Sequence, residues 1–501
     1  MKYESTRGKA PVLEFGDVLL AGLAADGGLY VPTEFPRLTS ADLRSFEEMS
    51  YSDVATRVLT PFVSPSIGED DLAAMIEESY RTFRHPEVVP VQRIDPFHAF
   101  GGFSSSPGYL VELHWGPTFS FKDVALQLLG RLFEYELSRR DTGVTIVGAT
   151  SGDTGSAAIE ACRDRDGIEL VMLHPRGRVS EIQRRQMTTI TSSNIHNVAI
   201  DGTFDDCQDL VKAMFGDTQF RQKHRLAAVN SINWARIAAQ TVYYFTSAAK
   251  ILPNHRHERG PAGGSGWGRI GEHISFVVPT GNFGNVFAGY VAAQMGLPVD
   301  RLVVATNHND ILTRTISSGT MEIGDVRPST SPAMDIQVAS NFERLLYYAS
   351  DKDSEWLDDA MRSFRSEGTL TLPRQVRDFL RKSFYSGTAE VWDVEDAIRD
   401  YQRIRGLIVD PHTAVALHVA SQNHKMLHGL QGSRVPVNGP PIAVMSTAHP
   451  AKFPDVVKQA IFPDTLTQPE ELAALVDKPE RCADLPNDLA SVMEFVSSVS
   501  Q

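Results

Sequence analysis

Cysteine is scarce in this chain. Only Cys162, Cys207 and Cys482 occur in 501 residues, far apart and odd in number. That excludes a disulfide framework and a thiolate metal site, and it fits a reducing compartment, with the cytoplasm as the default. Long apolar runs are also missing, and none approaches the roughly 18 residues that span a bilayer. The opening MKYESTRGKAPVLEF has neither the apolar stretch of a secretory signal nor the Arg/Ser-rich pattern of a transit peptide. Excess positive charge is absent too. The formal net charge is −14, which argues against a general nucleic-acid or anionic-membrane binder.

What is present is ordinary for a soluble globular protein: 42% hydrophobic and 22% charged residues, in a chain long enough for two or three domains. The N-terminal region to about residue 97 reads as mostly helical. FGDVLLAGL is a short apolar helix pattern stopped by Gly27 and Gly28, a brief strand ends at Pro32, and amphipathic pieces follow near 51–59 and 70–83. Residues 98–501 read differently. β-rich runs at 144–149, 169–175, 195–200, 274–280, 301–307 and 441–447 mostly alternate with helical patterns. That alternation predicts parallel sheets in two open α/β domains, with 130–240 as the smaller and the remainder as the larger. The helical run 234–252 carries an apolar stripe of Trp234, Ile237, Ala238, Thr241, Phe245 and Ala248. The Gly-rich, charged segment 253–273 reads as a surface insertion, and its His255 and His257 lack a third metal ligand. Elsewhere His412, His418 and His449 follow no metal-ligand spacing and read as structural or surface residues. Residues 393–406 form a solvated helix that stops at Gly406.

In open parallel sheets ligands bind beyond the carboxyl ends of the strands, and the glycines gather there. After the strand pattern ending at Pro279, the turn Gly281, Asn282, Phe283, Gly284, Asn285 opens a helix. Its successive N–H groups suit a phosphate, although the spacing is neither a Walker A loop nor GxGxxG. A second turn, Ser151, Gly152, Asp153, Thr154, Gly155, repeats the arrangement and suits a carboxylate or second phosphate. Its plain alternative is a helix capped by Ser151, Asp153 or Thr154. An acid within an anion site is unusual unless it faces something else. A third strand, 441–447, runs into Thr447, His449 and Lys452. Finally, Lys122 stands between Phe121 and Asp123 at the start of a helix pattern. A buried ammonium costs several kcal/mol unless paired or deprotonated, so the lysine either reaches solvent or has chemical work. Phe119 and Phe121 are candidates to desolvate it and so lower its pKa. A lone lysine, a phosphate cradle and a carboxylate cradle together describe a pyridoxal phosphate (PLP) enzyme acting on an amino acid.

Nine stretches carry a resemblance to a known family: STRG (5–8), DGGLYVP (26–32), HWGPTFSFKD (114–123), ATSGDTGSAA (149–158), HPRGRVSEIQRRQM (174–187), DGTFDDCQ (201–208), NSINWARIAAQ (230–240), PTGNFGN (279–285) and STAHPAKF (446–453). The chain resembles the threonine synthases of fungi and many bacteria through most of its length, departing at a motif only by Trp115. The resemblance implies the tryptophan-synthase-β-like PLP fold, type II, with a family-specific N-terminal domain. It implies Lys122 as the Schiff-base lysine and general base, Gly281 to Asn285 as holders of the cofactor phosphate, and Thr447 as partner of the pyridine nitrogen. It implies Ser151, Gly152, Asp153 and Thr154 facing the substrate. Lys452, with Arg7, Arg176, Arg178 or Arg236, becomes a candidate for the substrate phosphate. No metal is implied.

The implied reaction converts O-phosphohomoserine and water to threonine and phosphate, the last step of threonine biosynthesis. A phospho-lyase on the same fold, releasing 2-oxobutyrate, ammonia and phosphate, is compatible with the same residues. A serine/threonine dehydratase fits less well, because the N-terminal STRG and DGGLYVP stretches are foreign to that family. A non-catalytic phosphate or nucleotide sensor would need the glycine turns but not Lys122. The sequence leaves the oligomeric state open.

Overall fold

The computed structural model describes residues 1–94, 98–99, 102–103, 107–259, 273–427, 440–461 and 466–500. Two sheets dominate. The larger has six strands in the order Phe384–Thr388, Val299–Thr306, Ile274–Pro279, Ile442–Ser446, Gly108–Glu112 and Val91–Arg93. All its pairings are parallel except the last. The smaller has five parallel strands: Leu226–Ala227, Val144–Ala149, Ile168–Pro175, Ile195–Asp201 and Ala483–Pro486.

The side-chain period of two explains how both faces of the large sheet are filled. Ile274, Phe276 and Val278 point to the core shared with the helices Lys122–Arg139 and Trp234–Arg259, whereas Val277 faces a second core containing Val415 and Val419 of the helix Pro411–Leu427. The neighbouring strand does the same, with Ala443 and Met445 on one side and Ile442 and Val444 on the other. Register then positions the site. Val277 pairs with Val444, so the strand ending at Pro279 stops level with Ser446, and Ser446 pairs with Glu112. The segments after Glu112, Pro279 and Ser446 therefore leave one edge of the sheet side by side.

Six strand runs anticipated from the pattern form close to their expected bounds, and the solvated helix Val391–Arg405 ends at Gly406 in the left-handed region, φ +65°. Other features differ. The N-terminal region adds a three-stranded antiparallel sheet of Leu13–Glu14, Lys2–Ser5 and Tyr30–Pro32 to its helices, and its first helix closes at Gly22 rather than at Gly27 and Gly28. Tyr3 and Phe62 lie 5.9 and 5.8 Å from the Trp234 ring, so this region shares the central core. The helix Trp234–Arg259 is buried on every side through Ala249, not along one stripe, because N-terminal helices cover the flank turned from the sheet. Residues 253–259, expected in a loop, continue that helix, and 260–272 lie outside the described residues. The expected boundary at 97/98 also falls beside undescribed residues. The strand Ala483–Pro486 completes the small sheet beside Ile195–Asp201, and the helix Leu489–Val499 packs into the same core through Val492 and Val496. The smaller unit thus draws on residues far outside 130–240.

Candidate active site

The segment that carries Lys122 is held from both sides. Asp123 is fully buried and accepts from the Thr118 amide and hydroxyl, each at 2.7 Å, which fixes the loop ahead of the helix. Across the sheet edge Ser120 bridges Ala448, the Phe121 amide donates to the Thr447 carbonyl at 2.8 Å, and the His449 amide donates to Phe119 at 3.1 Å. Lys122 is the first residue of the helix Lys122–Arg139 and is buried. Its Nζ lies 3.4 Å from Asp153 Oδ2 and 5.3 Å from the centre of the Phe121 ring. Burial lowers the pKa of this amine, Asp153 opposes that, and Arg236 and Lys452 add to it. Phe119, expected to help desolvate the lysine, instead takes the left-handed backbone region, φ +60°, and packs its ring between Arg84 and His449.

The acid in the second turn faces two ammoniums. Asp153 Oδ1 lies 2.7 Å from Lys452 Nζ and accepts from Gln183 Nε2 at 2.7 Å, while Oδ2 faces Lys122. Burial alone would raise the Asp153 pKa, but Lys452 and Lys122 outweigh it and hold the carboxyl well below its usual range. The pair is thus unequal: the aspartate is ionised while the nearby Lys122 amine loses its proton more readily than a free lysine. The helix Asp153–Cys162 takes its cap from an unforeseen residue. Thr150 Oγ1 accepts from the Gly152 and Gly155 amides at 3.0 and 2.8 Å, and none of Ser151, Asp153 or Thr154 caps it.

The turn Gly281–Asn285 forms the opposite wall. A Cβ on Gly281 would stand 2.3 Å from the Ala333 carbonyl oxygen, so only glycine fits. Phe283 adopts φ +64° at the start of the helix Gly284–Gln294, held there by its ring in the core, 5.1 Å from Phe342. What it offers a ligand is backbone. First-turn amides have no acceptor within a helix, so they point outward as donors with the positive end of the helix dipole. Asn285 Oδ1 accepts from Tyr243 and Tyr244 at 2.6 and 2.9 Å, which turns Nδ2 outward, and Nδ2 has no partner among the described residues. Arg236 Nη1 and Gln240 Oε1 are likewise buried and unpartnered. Burial pushes the Arg236 guanidinium down to about 10 with no carboxylate to offset it.

These walls enclose a cleft of about 720 Å³, some of it open to solvent. Lys122, Asp153, Thr154, Thr447 and the Gly281–Asn285 turn all line it. Ser151 and Gly152 do not: Ser151 is exposed, and a Cβ on Gly152 would meet Gln183. Lys452 is off the wall as well, completely buried on Asp153 and the Thr118 carbonyl. Of the four candidate arginines only Arg236 lines the cleft. Arg7 pairs with Glu343 at 2.9 Å, Arg176 pairs with Asp484 at 3.2 Å, and Arg176 and Arg178 are exposed. His412, which reads from the sequence as structural or on the surface, is buried and lines the cleft. Its Nδ1 lies 2.9 Å from Asp410 Oδ1, and its Nε2 accepts from the Ala333 amide at 3.3 Å. The signal that marks it is its place in DPHT, with an acid two residues earlier at a helix start. Among the described residues no group of three His, Cys, Asp or Glu could hold a metal, and no helix is long and apolar enough to cross a membrane.

The donors around the cleft fit a phosphorylated aldehyde cofactor. Asn285 Nδ2 and the helix amides are spare donors for its phosphate, Lys122 is a buried amine for its aldehyde, Thr447 offers a hydroxyl, and Arg236 Nη1 leaves a cationic donor for a second anion.

Comparison with known proteins supports the same chemistry. Residues 2–80 match a family described as threonine synthase N terminus, 109–374 one described as pyridoxal-phosphate dependent enzyme, and 413–496 one described as threonine synthase, C-terminal. A threonine synthase of Pseudomonas aeruginosa is 45% identical over 497 residues, spanning 99% of this chain and 98% of that protein. The crystal structure of PLP-bound threonine synthase from Brucella melitensis is similar with a TM-score of 0.88 at 44% identity, and covers 100% of both chains. Threonine synthase from yeast gives a TM-score of 0.88 at 36% identity, over 99% of this chain and 98% of that one.

Proposed function

The chain belongs to the threonine synthase family of PLP-dependent enzymes, and we propose that it converts O-phospho-L-homoserine and water to L-threonine and phosphate at the Lys122 cleft. One observation carries the reading: a buried lysine amine, its pKa lowered by burial, shares a cleft with buried hydrogen-bond donors that lack a partner.

Bound in the cleft, PLP supplies an aldehyde that captures amines and a ring that spreads carbanion charge. Lys122 would hold it, the amides of Gly281, Asn282, Phe283, Gly284 and Asn285 would take its phosphate, and the Thr447 hydroxyl would meet its ring nitrogen. A hydroxyl there, unlike a carboxylate, leaves that nitrogen largely unprotonated. Lys122 Nζ then takes the proton from the substrate Cα and shuttles later ones, and burial lowers its pKa toward that of a working base. Arg236 supplies a cation for the substrate phosphate, whose departure from Cγ precedes water addition at Cβ. Of the second turn, Thr154 lines the cleft and would meet the substrate carboxylate. The reading carries with it an N-terminal family domain to residue 97, a catalytic region beyond it, and a cytoplasmic location.

The test is a product assay on the PLP-loaded chain with O-phosphohomoserine, following phosphate, threonine and 2-oxobutyrate in parallel. Phosphate matched by threonine is the expected result. Phosphate matched by 2-oxobutyrate would move the chain to the phospho-lyase chemistry, and no phosphate release would refute the substrate.

A further inference from the structure

Lys452 takes no part in the cleft wall, yet no part of its side chain reaches solvent. Taking an ammonium out of water costs several kcal/mol unless it is well paired, so its partners indicate its purpose. Nζ lies 2.7 Å from Asp153 Oδ1 and donates to the Thr118 carbonyl at 2.8 Å. Both partners adjoin Lys122. Asp153 Oδ2 is 3.4 Å from Lys122 Nζ, and Thr118 begins the loop that Asp123 fastens. Two glutamines of one helix complete the arrangement. Gln183 Nε2 donates to the same Asp153 oxygen at 2.7 Å, and Gln186 Nε2 donates to the Thr118 carbonyl at 3.1 Å. A buried lysine left alone with a buried aspartate would form a tight, protonated pair, useless as nucleophile or base. Here the carboxylate is shared, and the closer ammonium is the one outside the cleft.

We propose that Lys452 is a positioning residue for Lys122: it draws Asp153 onto itself, so that the Lys122 amine is oriented in the cleft without being captured by a full counter-ion. The proposal rests on the reading that Lys122 is the reactive amine. The charged groups that face Lys122 are Asp153, Arg236 and Lys452. Lys452 and Arg236 disfavour a proton on it, and Asp153 favours one. Removing Lys452 both deletes a repelling charge and lets Asp153 turn to Lys122. Removing the Asp153 charge acts in the opposite sense.

The experiment is competitive acetylation of the full chain, stripped of cofactor, across a pH series, with the Lys122 peptide read by mass spectrometry. Lys452→Met is expected to move the Lys122 midpoint up by about one pH unit, roughly a tenfold loss of free amine at neutral pH. Asp153→Asn is expected to move it down by a similar amount. The double variant, neutral at both positions, should return it close to the wild-type value. Lys452→Gln, which keeps a donor without the charge, is made beside Lys452→Met so that a folded variant is in hand, with melting temperature as the check. Shifts of opposite sign across one ion pair are not produced by lost packing. Midpoints that stay put, or move the same way in both single variants, would overturn the proposal. Borohydride reduction of the PLP-loaded wild type separates the two levels. Pyridoxyl on another lysine defeats the Lys122 assignment, whereas pyridoxyl on Lys122 with unmoved midpoints defeats only the role of Lys452.

Discussion

The turns at Gly281–Asn285 and Ser151–Thr154 both lead a parallel strand into a helix at the rim of one cleft, yet they carry opposite electrostatics. The first ends in donors with no partner among the described residues: Asn285 Nδ2 in the turn itself, with Arg236 Nη1 in the same cleft. The second has its helix start capped internally by Thr150 and carries a carboxylate taken up by Lys452, Gln183 and Lys122. One turn is built to receive an anion and the other to supply one. Strand–turn–helix geometry therefore offers an anion site only where the side chains leave the donors unspent.

Substitutions at the two turns sharpen that contrast. The largest effect is expected at Arg236. Arg236→Met removes a charge-assisted contact worth about 1.5–3 kcal/mol, so inorganic phosphate should bind roughly 10- to 100-fold more weakly. The same change removes an uncompensated buried charge, so the melting temperature of the cofactor-free chain should rise rather than fall. Titration calorimetry beside thermal unfolding reads both.

Gly281→Ala should come next. Its methyl would press on the Ala333 carbonyl, and relieving such overpacking costs about 1–3 kcal/mol. PLP retention after dialysis should drop about tenfold, because the displaced backbone is the cradle itself.

An intermediate effect concerns acid stability beside the cleft. Burial pushes both His114 and His449 down to about 4, and their rings stand 5.6 Å apart, edge to face. A depressed pKa means stability that is full above the unfolded value of about 6.5 and is lost as pH falls through about 4. The melting temperature should decline across that window, and His449→Gln should shrink the slope by about one proton. Ser151→Ala should matter least. Ser151 is exposed and off the cleft wall, so stability should change by no more than about 0.5 kcal/mol and PLP retention should not change.

Much of this was legible in the sequence because it depends on local pattern. Strands such as Ile274–Pro279 are largely apolar, fully buried runs that end at a glycine turn, and the register of a parallel sheet gathers their carboxyl ends. The rest depends on distant partners. Ala483–Pro486 is a short, half-polar edge strand with no periodicity to reveal it, completed by a pairing nearly 300 residues away. The all-round burial of the helix Trp234–Arg259 follows from N-terminal helices packed on its outer flank. Lys452, at a strand's carboxyl edge, reads from the family resemblance as a phosphate ligand. Only the fold shows that Asp153 and Thr118 claim its ammonium first. His412 follows no metal-ligand pattern, and such a pattern says nothing of a histidine tied to an acid and a backbone amide.

The most direct measurement is to load the full chain with PLP, reduce it with borohydride, digest it and find the lysine that carries the pyridoxyl group by mass spectrometry. The account predicts the modification on the peptide containing Lys122, and its loss from a folded Lys122→Ala variant. A pyridoxyl group on any other lysine, or none on a chain that has taken up PLP, would contradict it.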